Sequence, residues 1–137
     1  MDVMNYPLAR ELLEFDEGRR NKMYTDSVGV PTIGIGHSLN NPISDKAITQ
    51  IFEDDLELAI SDCKSVFPLF DIISDNRQAV LISVMFNLGK TRFRGFKNMI
   101  TAVNQFDFHT AAAELLDSKA ARDLPIRYNR LANILKG

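Results

Sequence analysis

Four side chains with the potential for chemistry lie close together in one stretch of this sequence, between Phe15 and His37. Glu17 and Asp26 supply two carboxylates, Thr32 a hydroxyl and His37 an imidazole. Two carboxyl groups that flank a cleft are the minimum equipment for cleaving a glycosidic bond, because one donates a proton while the other serves as base or nucleophile. Since Asp and Glu are common residues, the residue types alone make this one hypothesis among several.

Other kinds of site lack their sequence patterns here. The sequence has no Cys/His cluster with zinc-ligand spacing, no phosphate-binding loop ending in Gly-Lys-Ser/Thr, and no Gly-x-Ser-x-Gly elbow. His37 lacks a plausible serine or cysteine partner, and His109 is expected at the surface or in a cap. Cys63 is the sole cysteine, so it is expected to be a small buried hydrophobe. We therefore predict no metal and no cofactor.

The composition is typical of one soluble globular domain, with 137 residues, 45% apolar and 25% charged. The net charge of −2 hides an asymmetry: residues 1–60 carry 5 Lys/Arg and 11 Asp/Glu, whereas residues 61–137 carry 11 and 7. A basic second half suits an anionic polymer as partner, although chance segregation of surface charge explains the asymmetry equally well. The basic and aromatic residues of 90–97 favour a helix corner anchored by two Phe over a nucleic-acid surface, so no nucleic acid is predicted as partner.

The N-terminal helix is predicted to place Glu17 at its end. Asn5 is a candidate cap, Pro7 is tolerated in the first turn, and Gly18 is a natural stop. Glu17 then lies in the last turn, where the negative end of the helix dipole disfavours a carboxylate and favours the protonated form. A carboxylic acid that keeps its proton near neutral pH can serve as a general acid.

A hairpin is predicted next. Met23–Thr25 and Thr32–Ile35 have the composition of short strands, and Asp26–Gly29 supplies the turn between them. Asp26 would end the first strand, and Thr32 would lie on the second. Gly34 and Gly36 weaken a strand, so they indicate close approach of another backbone or of a ligand.

The rest of the chain is predicted to be helical, so the fold class is α+β and mainly helical. Ser44 caps a long amphipathic helix that stops before Pro68, and Ser74 caps a second helix that Gly89 closes. This second helix is apolar almost all round, which predicts burial at the centre of a bundle, and its Asn87 is either a satisfied core amide or a group facing a cleft. Further short helices are predicted at 96–105, 108–118 and 125–135.

The order of these residues closely resembles the phage-type lysozymes, or endolysins, and above all those of the T-even phages. The resemblance rests on Leu-Glu-Phe-Asp-Glu-Gly, then Tyr24-Thr25-Asp26, then Thr32-Ile-Gly-Ile-Gly-His37, at fixed spacing. It continues through Val84–Gly89 to Pro125 and so covers most of the chain. It implies a lysozyme-like fold of two lobes joined by a long helix. The small hairpin lobe would comprise about 15–60, and the helical lobe about 61–137 plus the N-terminal helix.

The resemblance implies a muramidase that cuts peptidoglycan between N-acetylmuramic acid and N-acetylglucosamine. Glu17 matches the acid that protonates the leaving oxygen, while Asp26 and Thr32 match residues that position and activate a water, giving inversion. Inversion requires carboxyl groups about 6.5–9.5 Å apart, whereas a shorter gap would make Asp26 the nucleophile of a retaining enzyme. The sequence leaves this choice open.

Further roles follow from the same resemblance. Arg127 matches the partner of the catalytic glutamate, a cation that would favour the ionised form of Glu17 and so oppose the helix-end effect. His37 with Asp55 resembles a structural ion pair that holds the hairpin lobe to the long helix. Other positions match residues that line the sugar cleft: Ser38, Leu39 and Asn87.

By resemblance, the protein is expected to be a monomer without a membrane span. It would stay in the host cytoplasm until a holin admits it to the periplasm and cell wall. The alternative is a tail-associated or wall-binding lysozyme-like module with weak or no activity. The sequence also departs from the family: the loop between His37 and Ser44 is short, and the chain has no tryptophan. Ala120 stands where relatives have a buried tryptophan, so that region is expected to repack.

Overall fold

The computed structural model describes residues 2–137. The chain divides after Ile48 into two compact units. We call the part up to Ile48 the N-terminal unit and Thr49–Gly137 the C-terminal unit. The predicted lobe boundary near residue 60, with the N-terminal helix assigned to the helical lobe, stays a prediction.

The N-terminal unit begins with a 3₁₀ turn, Val3–Asn5, followed by helix α1, Pro7–Glu17. The predicted Asn5 cap is wrong, because Asn5 lies inside the 3₁₀ turn. Tyr6 takes the cap position of α1 without a side-chain hydrogen bond. Pro7 starts the helix as predicted, since its missing N–H would be unpaired in the first turn.

Three antiparallel strands follow in the order β1-β2-β3: Arg20–Thr25, Pro31–Gly34 and His37–Ser38. The predicted hairpin and its turn are confirmed, with Tyr24 opposite Thr32. The third strand was not predicted, because two residues are too short to show an alternating pattern. Ser38 of β3 lies opposite Thr32, which makes β2 the central strand.

Helix α2, Asp45–Val66, starts in the N-terminal unit and ends in the C-terminal unit. Ser44 caps it as predicted: its Oγ accepts a hydrogen bond from the N–H of Ala47 at 3.1 Å. After a 3₁₀ turn at Phe70–Ile72, the chain continues with six helices: α3 (Asp75–Leu88), α4 (Lys90–Phe93), α5 (Lys97–Asn104), α6 (Phe108–Leu116), α7 (Lys119–Asp123) and α8 (Pro125–Lys136).

Helix α3 has the predicted ends, with Ser74 as cap and Gly89 at φ +78 as stop. The burial predicted for α3 at the centre of a bundle is found on one side of the helix. One side is buried (Val80, Leu81, Val84 and Met85), whereas Ala79 and Phe86 are exposed. A helix that is apolar almost all round therefore need not be covered on every face. The short helices α4 and α7 were not predicted, because four or five residues show too little periodicity.

The apolar core belongs to the C-terminal unit. Phe93 is fully buried and packs edge-on against Phe67 and Phe96, with ring centroids 5.7 and 6.1 Å away. This confirms that the corner after α3 is anchored by two Phe. Cys63 is also fully buried, and burial raises the pKa of its thiol to about 12. A thiol with so high a pKa is almost entirely protonated, and hence unreactive, at neutral pH.

The region around Ala120 is open to solvent. An open cavity of about 660 Å³ lies there, and its apolar lining includes Leu88, Phe96, Met99 and Ala120. The expected repacking around Ala120 stays a prediction.

The predicted fold class, α+β and mainly helical with a small antiparallel sheet, is confirmed. Within residues 2–137, no helix is both long and apolar enough to cross a membrane.

Candidate active site

Glu17 is the last residue of helix α1, as predicted. Gly18 follows at φ +73, and its N–H donates to the carbonyl of Glu14 at 3.0 Å, which ends the helix. The side chain of Glu17 extends to the turn between β2 and β3 and lies against Gly36. A Cβ at Gly36 would be only 2.7 Å from both Cδ and Oε2 of Glu17. The Glu17 carboxyl group therefore occupies space that only a glycine leaves free.

Asp26 closes the turn between β1 and β2. Its Oδ1 accepts hydrogen bonds from the N–H groups of Val28 at 2.9 Å and of Val30 at 2.8 Å. Its own N–H donates to the carbonyl of Val30 at 2.9 Å. These bonds fix the orientation of the carboxylate, because Oδ1 is held by two backbone donors. Oδ2 is left for another hydrogen-bond donor.

Thr32 lies on the central strand and is 4% exposed, which makes it the one buried side chain of residues 2–48. Its Oγ1 donates to the carbonyl of Val30 at 2.8 Å. With its proton used in that bond, the hydroxyl oxygen can still accept a hydrogen bond. The backbone of Val30 thus contacts both Asp26 and Thr32 and couples the positions of the two side chains.

The two oxygens that remain, Oδ2 of Asp26 and Oγ1 of Thr32, are both hydrogen-bond acceptors. A water molecule that donates to two acceptors keeps its lone pairs for attack on an electrophilic carbon. In an inverting glycosidase, one carboxylate acts as general base and takes a proton from such a water. Glu17 is the other carboxyl group of the N-terminal unit that sequence and structure single out.

Strand β3 carries the next predicted residues. Ser38 is half-buried, and its Oγ accepts from the N–H of Asn40 at 3.2 Å. The side chain of Leu39 is 44% exposed. His37 lies opposite Ile33, and its Nε2 is buried without a hydrogen-bond partner among residues 2–137. The pair of His37 with Asp55 stays a prediction, and so do the sugar-contacting roles of Ser38 and Leu39.

The remaining predicted residues belong to the C-terminal unit. Asn87 accepts a hydrogen bond at its Oδ1 from the hydroxyl of Tyr128, at 2.6 Å. Of the two alternatives for Asn87, this favours the satisfied amide, although its NH₂ group stays free to bind elsewhere. Tyr128 is fully buried, and burial raises its pKa. Arg127 is half-buried in the first turn of α8, and its pairing with Glu17 stays a prediction.

Two residues that this geometry makes important have roles that the sequence did not reveal. Gly36 was predicted to mark the close approach of another backbone or of a ligand, but the sequence did not show that the group next to it is the side chain of Glu17. Tyr128 was not singled out, although its spacing from Leu131 and Leu135 along α8 is that of a buried helix face. Among the described residues, no three His, Cys, Asp or Glu side chains are grouped as a metal site would require.

Comparison with known proteins decides the family. The family model described as "Phage lysozyme" matches residues 14–130. The chain belongs to the phage lysozyme family. Membership makes it a lysozyme-type glycosidase and confirms the resemblance drawn from the motif of residues 13–37.

Individual relatives of this phage lysozyme come from different sources. The endolysin of Salmonella phage P22 is 37% identical over 124 residues, covering 81% of each chain. "Probable T4-type lysozyme 2" of Dictyostelium discoideum is 25% identical over a gapped alignment of 157 positions, which covers 93% of this chain and 92% of its own. The pre-baseplate central spike protein Gp5 of Enterobacteria phage T4 is 30% identical over a gapped alignment of 163 positions, which covers 98% of this chain but 28% of Gp5.

Proposed function

We propose that this phage lysozyme is a muramidase, which hydrolyses the β-1,4 bond between N-acetylmuramic acid and N-acetylglucosamine in bacterial peptidoglycan. One observation carries the proposal: Asp26 and Thr32 are both held by the backbone of Val30, each with an oxygen free to accept from a water. Family membership and the placement of Glu17 at the end of α1 support it.

The proposed reaction is inverting. Glu17 donates its proton to the glycosidic oxygen as the bond to the leaving sugar breaks. Asp26 takes a proton from the attacking water, and Thr32 orients this water by accepting its other hydrogen. The products are a new reducing end of inverted configuration and a free sugar hydroxyl, and no cofactor takes part. Substrate contacts by Ser38, Leu39, Asn87 and Arg127, which the family resemblance implies, belong to the same proposal.

The proposed biological role is host lysis by a phage or prophage endolysin. The match to the P22 endolysin over most of both chains supports this role. In this role the enzyme is a monomer that stays in the host cytoplasm until a holin gives it access to the cell wall.

The substitution Glu17→Gln tests the activity. It keeps the size of the side chain but removes the proton donor, so we expect a loss of about 10²–10⁴-fold in the clearing of outer-membrane-permeabilised cells. Circular dichroism and thermal unfolding check that the variant is folded. Release of reducing ends from purified peptidoglycan separates hydrolysis from lytic transglycosylation, which leaves anhydro ends. A folded variant that clears cells as fast as the unmodified protein would refute the proposal.

A second candidate is a lysozyme-like module of a virion. The observation that favours it is the match to Gp5, in which nearly all of this chain corresponds to 28% of a larger spike protein. Such a module could bind the wall with weak or no activity. A pull-down with peptidoglycan, run beside the reducing-end assay, distinguishes the two, since binding without any release of reducing ends would favour the module.

A further inference from the structure

Among the described glycines, Gly36 is the one whose added Cβ would meet a candidate catalytic side chain, whereas at Gly137 it would meet Arg77. A Cβ at this position would lie 2.7 Å from Cδ and Oε2 of Glu17 and 2.9 Å from its Cγ. Real Cβ atoms essentially never come so close to another heavy atom, so any side chain at position 36 must displace Glu17. The carboxyl group of Glu17 rests on the backbone of the turn between β2 and β3.

We propose that Gly36 is a positioning residue for Glu17. The space left by the missing Cβ, which we call the seat, lets the carboxyl group lie against the backbone of this turn. Held in this seat, the acid needs less reorganisation to reach the glycosidic oxygen, and a misplacement of about 1 Å can cost a catalytic group about 10²-fold. The catalytic consequence rests on the proposed function, whereas the seat itself is a structural feature.

Gly34 offers a comparison for Gly36 within the same turn. Both glycines have φ +69, a conformation that residues with a Cβ adopt at a cost. A Cβ at Gly34, however, would meet nothing within 4 Å. The two positions therefore share the same φ, and of the two only Gly36 also contacts Glu17.

The displaced group would be the far end of a side chain. Glu17 is exposed and lies at the end of α1, so its carboxyl group can rotate away from a new methyl group without moving the helix. The variant Gly36→Ala should thus unfold much like Gly34→Ala. It should differ in where the carboxyl of Glu17 is held.

The experiment compares Gly36→Ala, the matched control Gly34→Ala and the unmodified chain. Thermal unfolding, kcat and KM on peptidoglycan, and the ¹³C signal of the Glu17 carboxyl over a pH titration are measured for each. The signal is assigned with Glu17→Gln. Both variants should lower the midpoint of unfolding by a similar amount, about 4–8 °C. Only Gly36→Ala should lower kcat, by about 10²-fold with little change in KM, and change the Glu17 signal.

The outcomes separate the seat from the function. If the unmodified chain releases no reducing ends but the Glu17 signal changes only in Gly36→Ala, the seat stands and the proposed function fails. If the unmodified chain is active and the two variants match in kcat and in the Glu17 signal, the seat is refuted.

If Gly36→Ala does not fold, the double variant Glu17→Ala/Gly36→Ala still tests the contact. In this double variant the Glu17 carboxyl group is absent, so the methyl group added at position 36 no longer clashes with it. If Gly36→Ala alone is unfolded, recovery of folding in the double variant supports the contact. A double variant that is equally unfolded would show that the backbone alone requires the glycine, which refutes the seat.

Discussion

Residues 2–48 and residues 49–137 are stabilised in different ways. In the first region one side chain, Thr32, is buried, and it is polar. In the second region lies every buried apolar side chain of the described structure, from Ala59 to Leu135. The candidate catalytic residues Glu17, Asp26 and Thr32 all belong to the first region.

The N-terminal unit takes its local shape from hydrogen bonds and backbone conformation. Asp26 caps the hairpin turn, Gly18 ends helix α1, and the positive φ values of Gly34 and Gly36 shape the turn between β2 and β3. The C-terminal unit instead depends on packed apolar volume. The difference teaches that the chemistry can be removed by a substitution that leaves the packed core unchanged.

The largest effect is expected at Asp26, in the region without an apolar core. Asp26→Asn removes the charge but keeps an oxygen that can accept from Val28 and Val30, so the turn should persist. We expect a loss of about 10²–10⁴-fold in release of reducing ends, since the base is gone. The free energy of unfolding should change by less than about 0.5 kcal/mol.

Asp26→Ala is the matched control, because it removes the charge and the acceptor together. It should lose the same activity and also about 1–3 kcal/mol of stability, as two backbone donors lose their partner. Denaturant unfolding and the reducing-end assay measure both variants. Full activity in Asp26→Asn would contradict the role of Asp26 as base.

The next effect tests the core of the C-terminal unit. Phe93 is fully buried between Phe67 and Phe96, so Phe93→Ala should lower the free energy of unfolding by about 3–5 kcal/mol. Phe15→Ala is the same change in the N-terminal unit, where the ring is 87% exposed, and should alter it by no more than about 0.5 kcal/mol. Urea titrations compare the two. Equal losses would show that the two regions do not differ as described.

The smallest effect concerns the pH dependence of the core. Burial raises the pKa of Cys63 from 9.0 to about 12, so the unfolded chain loses this proton first as the pH rises. The stabilisation is complete below pH 9 and is lost between pH 9 and about 12. From pH 8 to pH 10, the unmodified protein should lose about 1.4 kcal/mol more stability than Cys63→Ala. Identical pH slopes in denaturant titrations would show that Cys63 is not held in the protonated form.

Much of the helical framework could be predicted because helix ends are marked locally. Ser44, Ser74, Gly18 and Gly89 mark ends that the structure confirms. The prediction of Asn5 as the cap of α1 was wrong, since a residue type that suits a cap can also fall inside a 3₁₀ turn. The burial predicted for α3 is found on one side of the helix, and a sequence pattern cannot show which faces of a helix are covered by neighbours.

For the candidate site, the sequence by itself determined the residue types and their local supports. It put Glu17 at a helix end, Asp26 in a turn and Thr32 on a strand, because caps, turns and short strands depend on residues a few positions apart. Only the tertiary structure decided that the Glu17 carboxyl rests on Gly36 and that Tyr128 donates to Asn87, 41 residues away. Such contacts depend on how whole elements pack, and no local pattern of residues encodes that packing.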